Sequence, residues 1–197
     1  DIISNYGLDQ FRYFLLREVP FGNDGDFSIN ALINRINSDL VNDLGNLCQR
    51  SLSMIEKRLD ATVPQITNKG NEEKDLDASS KELITKGSDL INEFKIHEYV
   101  RLVWVHIGKV NKYFNDKKPW ELEKKDKEKF LNVLAVTINQ IKNIAVFINP
   151  IMPYTSAKIL EIMSISDTKL LFEEIESINI SGNKLSKVNH LFNRIQI

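Results

Sequence analysis

Residues 42–50 read Asn-Asp-Leu-Gly-Asn-Leu-Cys-Gln-Arg and lie inside a long helical pattern that runs from about Ser28 to Leu59. Because each helical residue advances by about 100°, the apolar residues in the second half of this pattern fall on one face. Asn46 and Arg50 are one turn apart and point roughly away from that face. An amide beside a guanidinium offers donors and an acceptor to a planar polar partner such as a nucleobase. Geometry alone favours a plainer interpretation, in which both side chains belong to a solvated face.

The same helical pattern contains a glycine at its centre, Gly45. Glycine disfavours a mid-helix position by roughly 1 kcal/mol relative to alanine. Its presence therefore predicts a close approach of another helix or of a ligand backbone. The apolar stripe from Ile29 to Leu40 also drifts round the helix toward the later face. We interpret this drift as gentle supercoiling or as a bend near Gly45, and we predict Ser28 as the N-cap.

The rest of the chain repeats the 3.6-residue period of amphipathic helices and nearly lacks the alternation of strands. The pattern predicts helices at 1–19 (interrupted at Gly7), 78–114 (broken or continuous at 95–98), 126–148 and 154–163. Pro64–Asp75 is predicted to be a loop, and Trp120 follows Pro119 in a short polar loop. Trp104 lies in an apolar stripe and is predicted to be a core residue. We therefore predict an all-α fold.

Composition narrows the classes of function. The chain has 197 residues, of which 42% are hydrophobic and 27% are charged, as in a soluble globular protein. Lys and Arg number 26 against 27 Asp and Glu, which gives a net charge of −1. That balance disfavours broad nucleic-acid binding, so a bound RNA would be recognised locally and through its bases. The sequence has no run of 18 apolar residues, and we expect neither a membrane nor DNA as a partner.

Cysteine and histidine are too few to indicate a disulfide or a metal site. The single cysteine, Cys48, excludes an internal disulfide, and the three histidines are too scattered for a zinc site at known spacings. His97 and His106 are expected at the surface or at its boundary. The sequence offers no nucleophile triad or paired carboxylates, so no catalytic residue is predicted. Because the chain begins at Asp1, we expect a fragment of a longer protein.

Three segments taken together resemble a known family. They are RYFLLREVPFGNDGDF at Arg12–Phe27, GNLCQR at Gly45–Arg50, and Asn111-Lys112-Tyr113 followed by Pro119-Trp120. Their order and spacing are similar to those of the C-terminal half of bacterial-type methionyl-tRNA synthetases, and the similarity covers essentially the whole chain. The resemblance implies a helix bundle of the anticodon-binding type found in class I aminoacyl-tRNA synthetases.

The resemblance also implies roles for three residues. Asn46, Arg50 and Trp120 correspond to the positions that read the anticodon in this family. Trp120 would stack on an unpaired base, and Asn46 with Arg50 would read the edge of that base. The base would be the cytosine of the CAU anticodon, and the RNA partner would be methionine tRNA.

The same family implies a division of the chain and a parent enzyme. Residues 1–27 would be the remnant of a module that contacts the tRNA stem, or a connector. Residues 28–165 would form the anticodon-binding bundle, and residues 166–197 a tail that packs back on it. The parent would be a cytoplasmic methionine–tRNA ligase that uses ATP and often zinc, and its catalytic domain would be a second partner. We expect no cofactor in this chain itself.

Two short motifs look like the ATP-site signatures of class I synthetases. They are His106-Ile107-Gly108-Lys109 and Lys184-Leu185-Ser186-Lys187-Val188. The first would have to follow a parallel strand, so that a helix N-terminus meets the triphosphate, but it is predicted in mid-helix. No strand–helix unit precedes the second motif. We treat both as chance matches.

A second interpretation of the whole chain remains open at this point. A helical scaffold or oligomerisation domain without an RNA role would show the same periodicity, with Trp120 filling a gap between helices. The tract from Lys109 to Lys129 holds eight lysines against five acidic residues. Such a tract is usually a solvated face, but beside Trp120 its excess of positive charge would steer an anionic backbone.

Overall fold

A computed structural model describes residues 1–20, 22, 24–25, 27–165 and 171–196. Its α-helices are α1 Ile2–Tyr6, α2 Leu8–Glu18, α3 Ile29–Arg35, α4 Asn46–Arg58, α5 Asn71–Asn92, α6 Ile96–Lys117, α7 Pro119–Lys125, α8 Lys127–Ile148 and α9 Pro153–Ile162. A π-helix over Ile36–Gly45, hereafter the π segment, joins α3 to α4, and a 3-10 helix covers Phe172–Ser177. Within the described ranges the β structure is limited to an isolated bridge between Thr62 and Lys184. The predicted all-α fold is confirmed.

Helix α8 is the centre of the bundle. It packs against α4, α5, α6, α7 and α9, and from Val133 to Ile148 nearly every residue is buried. Asp126 caps its first turn by accepting a 3.0 Å hydrogen bond from Lys129 N. By length and composition alone α8 would also span a membrane. Because 83% of its most apolar window is buried inside the bundle, the core accounts for that composition.

The predicted long helix is present, but its middle third is not α-helical. Ser28 caps it by accepting a 3.1 Å hydrogen bond from Ala31 N, as predicted. Buried residues then recur at intervals of four through Leu32, Ile36, Leu40, Leu44, Cys48 and Leu52. A step of four overshoots an α-helical turn by about 40°, so this stripe would rotate away from the core. A π-helix has more residues per turn and keeps the stripe facing inward, which explains the drift attributed above to supercoiling or a bend.

The prediction that Trp120 lies in a loop was wrong. Helix α6 continues to Lys117, and Trp120 is the second residue of α7. The direction changes at Lys118, which has left-handed backbone angles of φ 45° and ψ 61°. Pro119 then occupies the first helical position, where its missing N–H costs no hydrogen bond and its fixed φ suits the helix.

Other sequence-based predictions needed correction. The loop predicted at Pro64–Asp75 ends early, because α5 begins at Asn71. His106, expected at or near the surface, is fully buried between α5, α6 and α8. On α2, Leu8 and Leu15 face outward and are 37% and 39% exposed. Asp9 does not cap its own helix. Its Oδ2 accepts a 2.6 Å hydrogen bond from Thr155 N in the first turn of α9.

The C-terminal residues return to the bundle in two places. The 3-10 helix lies on α8 with Ile175 buried, and Lys142 Nζ donates to the carbonyl oxygens of Ile175 and Ile178 at 2.7 and 3.1 Å. Farther on, residues 192–195 lie against the π segment. Part of the predicted tail, 166–170, lies outside the described residues. The division at 27 and 165 stays a prediction.

Candidate nucleic-acid interface

Arg50 and Trp120, predicted from distant parts of the sequence, meet at one surface. The Cζ atom of Arg50 on α4 lies 5.1 Å from the centroid of the Trp120 ring on α7. It lies at the same distance from the centroid of the Phe114 ring on α6. Both distances fall within the range of cation–π attraction. Arg50 Nη1 also donates a 2.8 Å hydrogen bond to Asn115 Oδ1, so side chains of two other helices, α6 and α7, fix the guanidinium.

Trp120 is anchored at one edge and open to solvent elsewhere. Its ring meets the buried Phe114 ring in an edge-to-face arrangement, with centroids 6.1 Å apart and an interplanar angle of 64°. The side chain is nevertheless 42% exposed. Large aromatic rings normally bury most of their surface, so a fixed and exposed indole is available for stacking with a planar ligand.

Asn46 reaches the same surface through helix geometry. It is the first residue of α4, it is exposed, and it stands one turn before Arg50. Among the described residues its side chain has no hydrogen-bond partner, whereas Arg50 is held by Asn115. The structure therefore brings Arg50 and Trp120 into contact and places Asn46 one helical turn before Arg50, exposed and with its amide unused.

Two supporting residues were missed as parts of the site. Phe114 was predicted only as the end of the helix at 78–114, yet its ring supports both Arg50 and Trp120. Asn115 gave no sequence signal, since an asparagine near a helix C-terminus is ordinary. Asn111, quoted above for the family resemblance, donates a 3.3 Å hydrogen bond to the carbonyl oxygen of Asp43 and ties α6 to the π segment.

Comparison with known protein families identifies the family of the chain that carries this surface. Residues 63–196 match the anticodon binding domain of methionyl tRNA ligase, and residues 1–52 match the family of tRNA synthetases class I (M). The chain belongs to the methionyl-tRNA ligase family. The family, the fold class and the anticodon-binding identity predicted from the sequence are confirmed.

Individual relatives agree with this assignment. The methionine–tRNA ligase of Brucella suis is 35% identical over 182 residues, which cover 92% of this chain and 35% of the relative. That of Mycobacterium bovis is 37% identical over 194 residues, covering 96% and 37%. The apo methionyl-tRNA synthetase of Mycobacterium tuberculosis superimposes with a TM-score of 0.95 at 36% identity, covering 100% of this chain and 40% of that one. The chain thus spans little more than a third of the length of these relatives.

Several lysines near the surface formed by Arg50 and Trp120 take part in ion pairs. Within the lysine tract, Lys118 and Lys125 both pair with Glu121, and the hydrogen bond from Lys125 holds the pKa of that carboxyl below its ordinary value. Lys117 pairs with Glu72 and Glu73, which lie outside the tract. Glu72 and Glu73 therefore reduce the positive excess of the lysine tract.

A polar cluster formed by α5, α6 and α8 lies inside the bundle. Ser80 Oγ donates to Gln140 Oε1 at 2.9 Å and lies 3.3 Å from His106 Nε2. Burial lowers the pKa of His106 to about 4, so its imidazole is neutral at pH 7. The segment His106-Ile107-Gly108-Lys109 therefore contributes its histidine to the core. Across the described residues, no group of three or more His, Cys, Asp or Glu is placed to hold a metal ion.

Proposed function

We propose that this chain recognises the CAU anticodon loop of a methionine tRNA as part of a longer methionyl-tRNA ligase. The observation that carries the proposal is the position of Arg50. Its Cζ lies 5.1 Å from the centroid of a tryptophan ring that is 42% exposed. Single-stranded RNA loops are read by stacking unpaired bases on such rings and by hydrogen bonds to the base edges.

The chemistry of the three residues suits cytosine. An unpaired base stacked on the exposed part of the Trp120 ring would lie beside Arg50, whose Cζ is 5.1 Å from the ring centroid. Arg50 Nη1 is engaged by Asn115, and the other nitrogens of the guanidinium can donate to the cytosine O2 and N3 acceptors. The Asn46 amide oxygen would accept from the exocyclic amine, which is the donor that distinguishes cytosine from uracil. Because Arg50 is already held in place, less conformational entropy is lost when the base binds.

We propose that the rest of the longer protein supplies the chemistry of a methionine–tRNA ligase. The relatives of that name are more than twice as long as this chain. A zinc site does not fit the described residues, since no suitable group of ligands is present and Cys48 is buried. ATP and any zinc would be bound elsewhere, and the catalytic domain would be a partner within the same protein. A cytoplasmic location is consistent with the RNA partner and the single free cysteine.

The test is titration of the protein with RNA stem-loops that differ only in the anticodon. The unchanged protein should bind the CAU loop in preference to a UAU loop. Trp120→Ala should weaken binding of the CAU loop by about 1–3 kcal/mol, the contribution of one base stacked on an aromatic ring. Trp104→Phe is the control, because Trp104 stacks on Tyr13 away from this surface. Equal affinity for both loops would overturn the proposal and favour a scaffold role.

A further inference from the structure

The last residues of the described chain contact the π segment at three points. Asn37 exchanges two hydrogen bonds with the backbone of Ile195, donating to its carbonyl oxygen at 2.9 Å and accepting from its N–H at 3.0 Å. One turn later, Asn42 Oδ1 accepts a hydrogen bond from Arg194. At the end of the segment, a ring carbon of Phe192 lies 3.3 Å from the position that a Cβ on Gly45 would take.

These contacts depend on the helical register. Asn37 and Asn42 are five residues apart, and in a π-helix, whose hydrogen bonds join residues five apart, both fall on the same side of the axis. In an α-helix the same two residues would be separated by about 140° around the axis. The tail therefore holds both asparagines together only while the segment is π-helical. Gly45 depends on the same register, because a Cβ there would lie 2.8 Å from the carbonyl oxygen of Leu40, five residues earlier.

The register also sets the direction of the site residues. Helix α4 starts at Asn46, directly after the π segment, and continues its axis. A π-helix rotates less per residue than an α-helix does. If the ten residues of the segment became α-helical, the extra rotation would accumulate and turn Asn46 and Arg50 away from Phe114 and Trp120. Long π-helices are rare, so the segment needs contacts from outside to persist.

We infer that Phe192, Arg194 and Ile195 are positioning residues that hold the π segment in register and thereby aim Asn46 and Arg50 at the anticodon-binding surface. The role of the tail in orienting Asn46 and Arg50 rests on the function proposed above. The helical register of the π segment is a property of the fold and does not depend on that function. Phe192 is well placed for this role, since it is only 7% exposed and its ring lies against the last turn of the segment.

Cys48 provides a direct reporter of the register. It is the single cysteine of the chain, it lies three residues after Gly45, and it is buried. Burial raises the pKa of its thiol to about 12, so a disulfide reagent reacts with it only when α4 turns or opens. We expect Phe192→Ala to accelerate labelling of Cys48 by roughly tenfold, as a local opening would. Asn37→Ala, which removes two hydrogen bonds and little buried surface, should act in the same direction.

The matched control is Leu185→Ala. Leu185 is also an apolar tail residue that is 7% exposed, but its backbone N–H donates to Ala61 O, away from the π segment. It should lower global stability comparably while leaving the labelling of Cys48 slow under native conditions. If all three variants accelerate labelling in proportion to their loss of global stability, the register role is overturned.

Binding of the CAU stem-loop tests the positioning role separately. Phe192→Ala should weaken binding by roughly fivefold, and by much less when Arg50→Ala is already present, because the tail acts through Arg50. An undiminished effect in the Arg50→Ala background would overturn the positioning role. If the unchanged protein failed to bind the loop, the proposed function would fail, and Cys48 labelling would still decide whether the tail holds the register.

Discussion

The hydroxyl group of Tyr13 donates a 2.6 Å hydrogen bond to Asp39 Oδ2 in the interior of the protein. Tyr13 belongs to α2 and Asp39 to the π segment, so this bond joins the first part of the chain to the irregular helix. Asp39 also accepts hydrogen bonds from Ser38 and Arg35, which together satisfy its buried carboxylate. Burial, followed by the bond to Asp39, raises the pKa of the Tyr13 hydroxyl well above its usual range.

Tyr13→Phe should therefore destabilise the fold by about 1–3 kcal/mol, since it leaves a buried carboxylate with one donor fewer. Urea denaturation followed by circular dichroism would measure the change. Tyr154→Phe is the control, because Tyr154 is highly exposed, and it should have almost no effect. A loss for Tyr13→Phe no larger than that of the control would contradict the importance of this bond.

Replacement of two helical glycines by alanine should change the stability of the fold in opposite directions. A Cβ at Gly45 would lie 2.8 Å from the Leu40 carbonyl oxygen, which as backbone cannot move aside easily. Gly45→Ala should cost about 1–3 kcal/mol. Gly108 lies in the middle of α6 with no atom within 4 Å of the new methyl group. Gly108→Ala should add roughly 0.5–1 kcal/mol of stability through helix propensity. Thermal denaturation of both variants would reveal a difference in sign.

The two tryptophans should separate stability from binding. Trp104 was predicted to be a core residue but is only partly buried, with its ring packed against that of Tyr13 at a centroid distance of 4.3 Å. Trp104→Ala should cost about 3 kcal/mol, at the low end for an aromatic because part of the ring remains exposed. Trp120→Ala should leave the denaturation midpoint nearly unchanged. Comparable losses for the two variants would show that Trp120 serves packing.

The free energy of unfolding should fall as the pH is lowered through the range in which the protonation of His106 differs between the folded and unfolded states. Burial lowers the folded-state pKa to about 4, from 6.5 in the unfolded chain. Between these values the unfolded chain binds more protons, so the free energy of unfolding decreases as the pH falls from about 6.5 toward 4. His106→Gln should make the loss of unfolding free energy over this pH range smaller, by up to a few kcal/mol. A pH profile identical to that of the unchanged protein would assign the acid sensitivity to other groups.

Sequence periodicity predicted the fold because the bundle is made of long amphipathic helices around α8. The contact between Arg50 and Trp120 was anticipated only through family resemblance, since no helical spacing relates residues on α4 and α7. Phe114 and Asn115 were missed because support of a site by a neighbouring helix depends on tertiary packing. Buried residues spaced by four did signal the π segment, but that spacing was interpreted within an α-helical period. His106 was misplaced because its burial depends on Ser80 and Gln140 from two other helices.

The hydrogen bond from Thr155 N to Asp9 bears on how this protein can be divided. Arg12 reinforces it by donating to the carbonyl oxygens of Pro150 and Ile151 in the turn between α8 and α9. These contacts cross from the matched family range 1–52 to the range 63–196, as does the pairing of Arg50 with Trp120. A protein engineer who cut at residue 63 would keep the tryptophan and discard the arginine. The cut would also remove the cap of α9 and expose one side of α8, so the two ranges have to be exchanged or transplanted together.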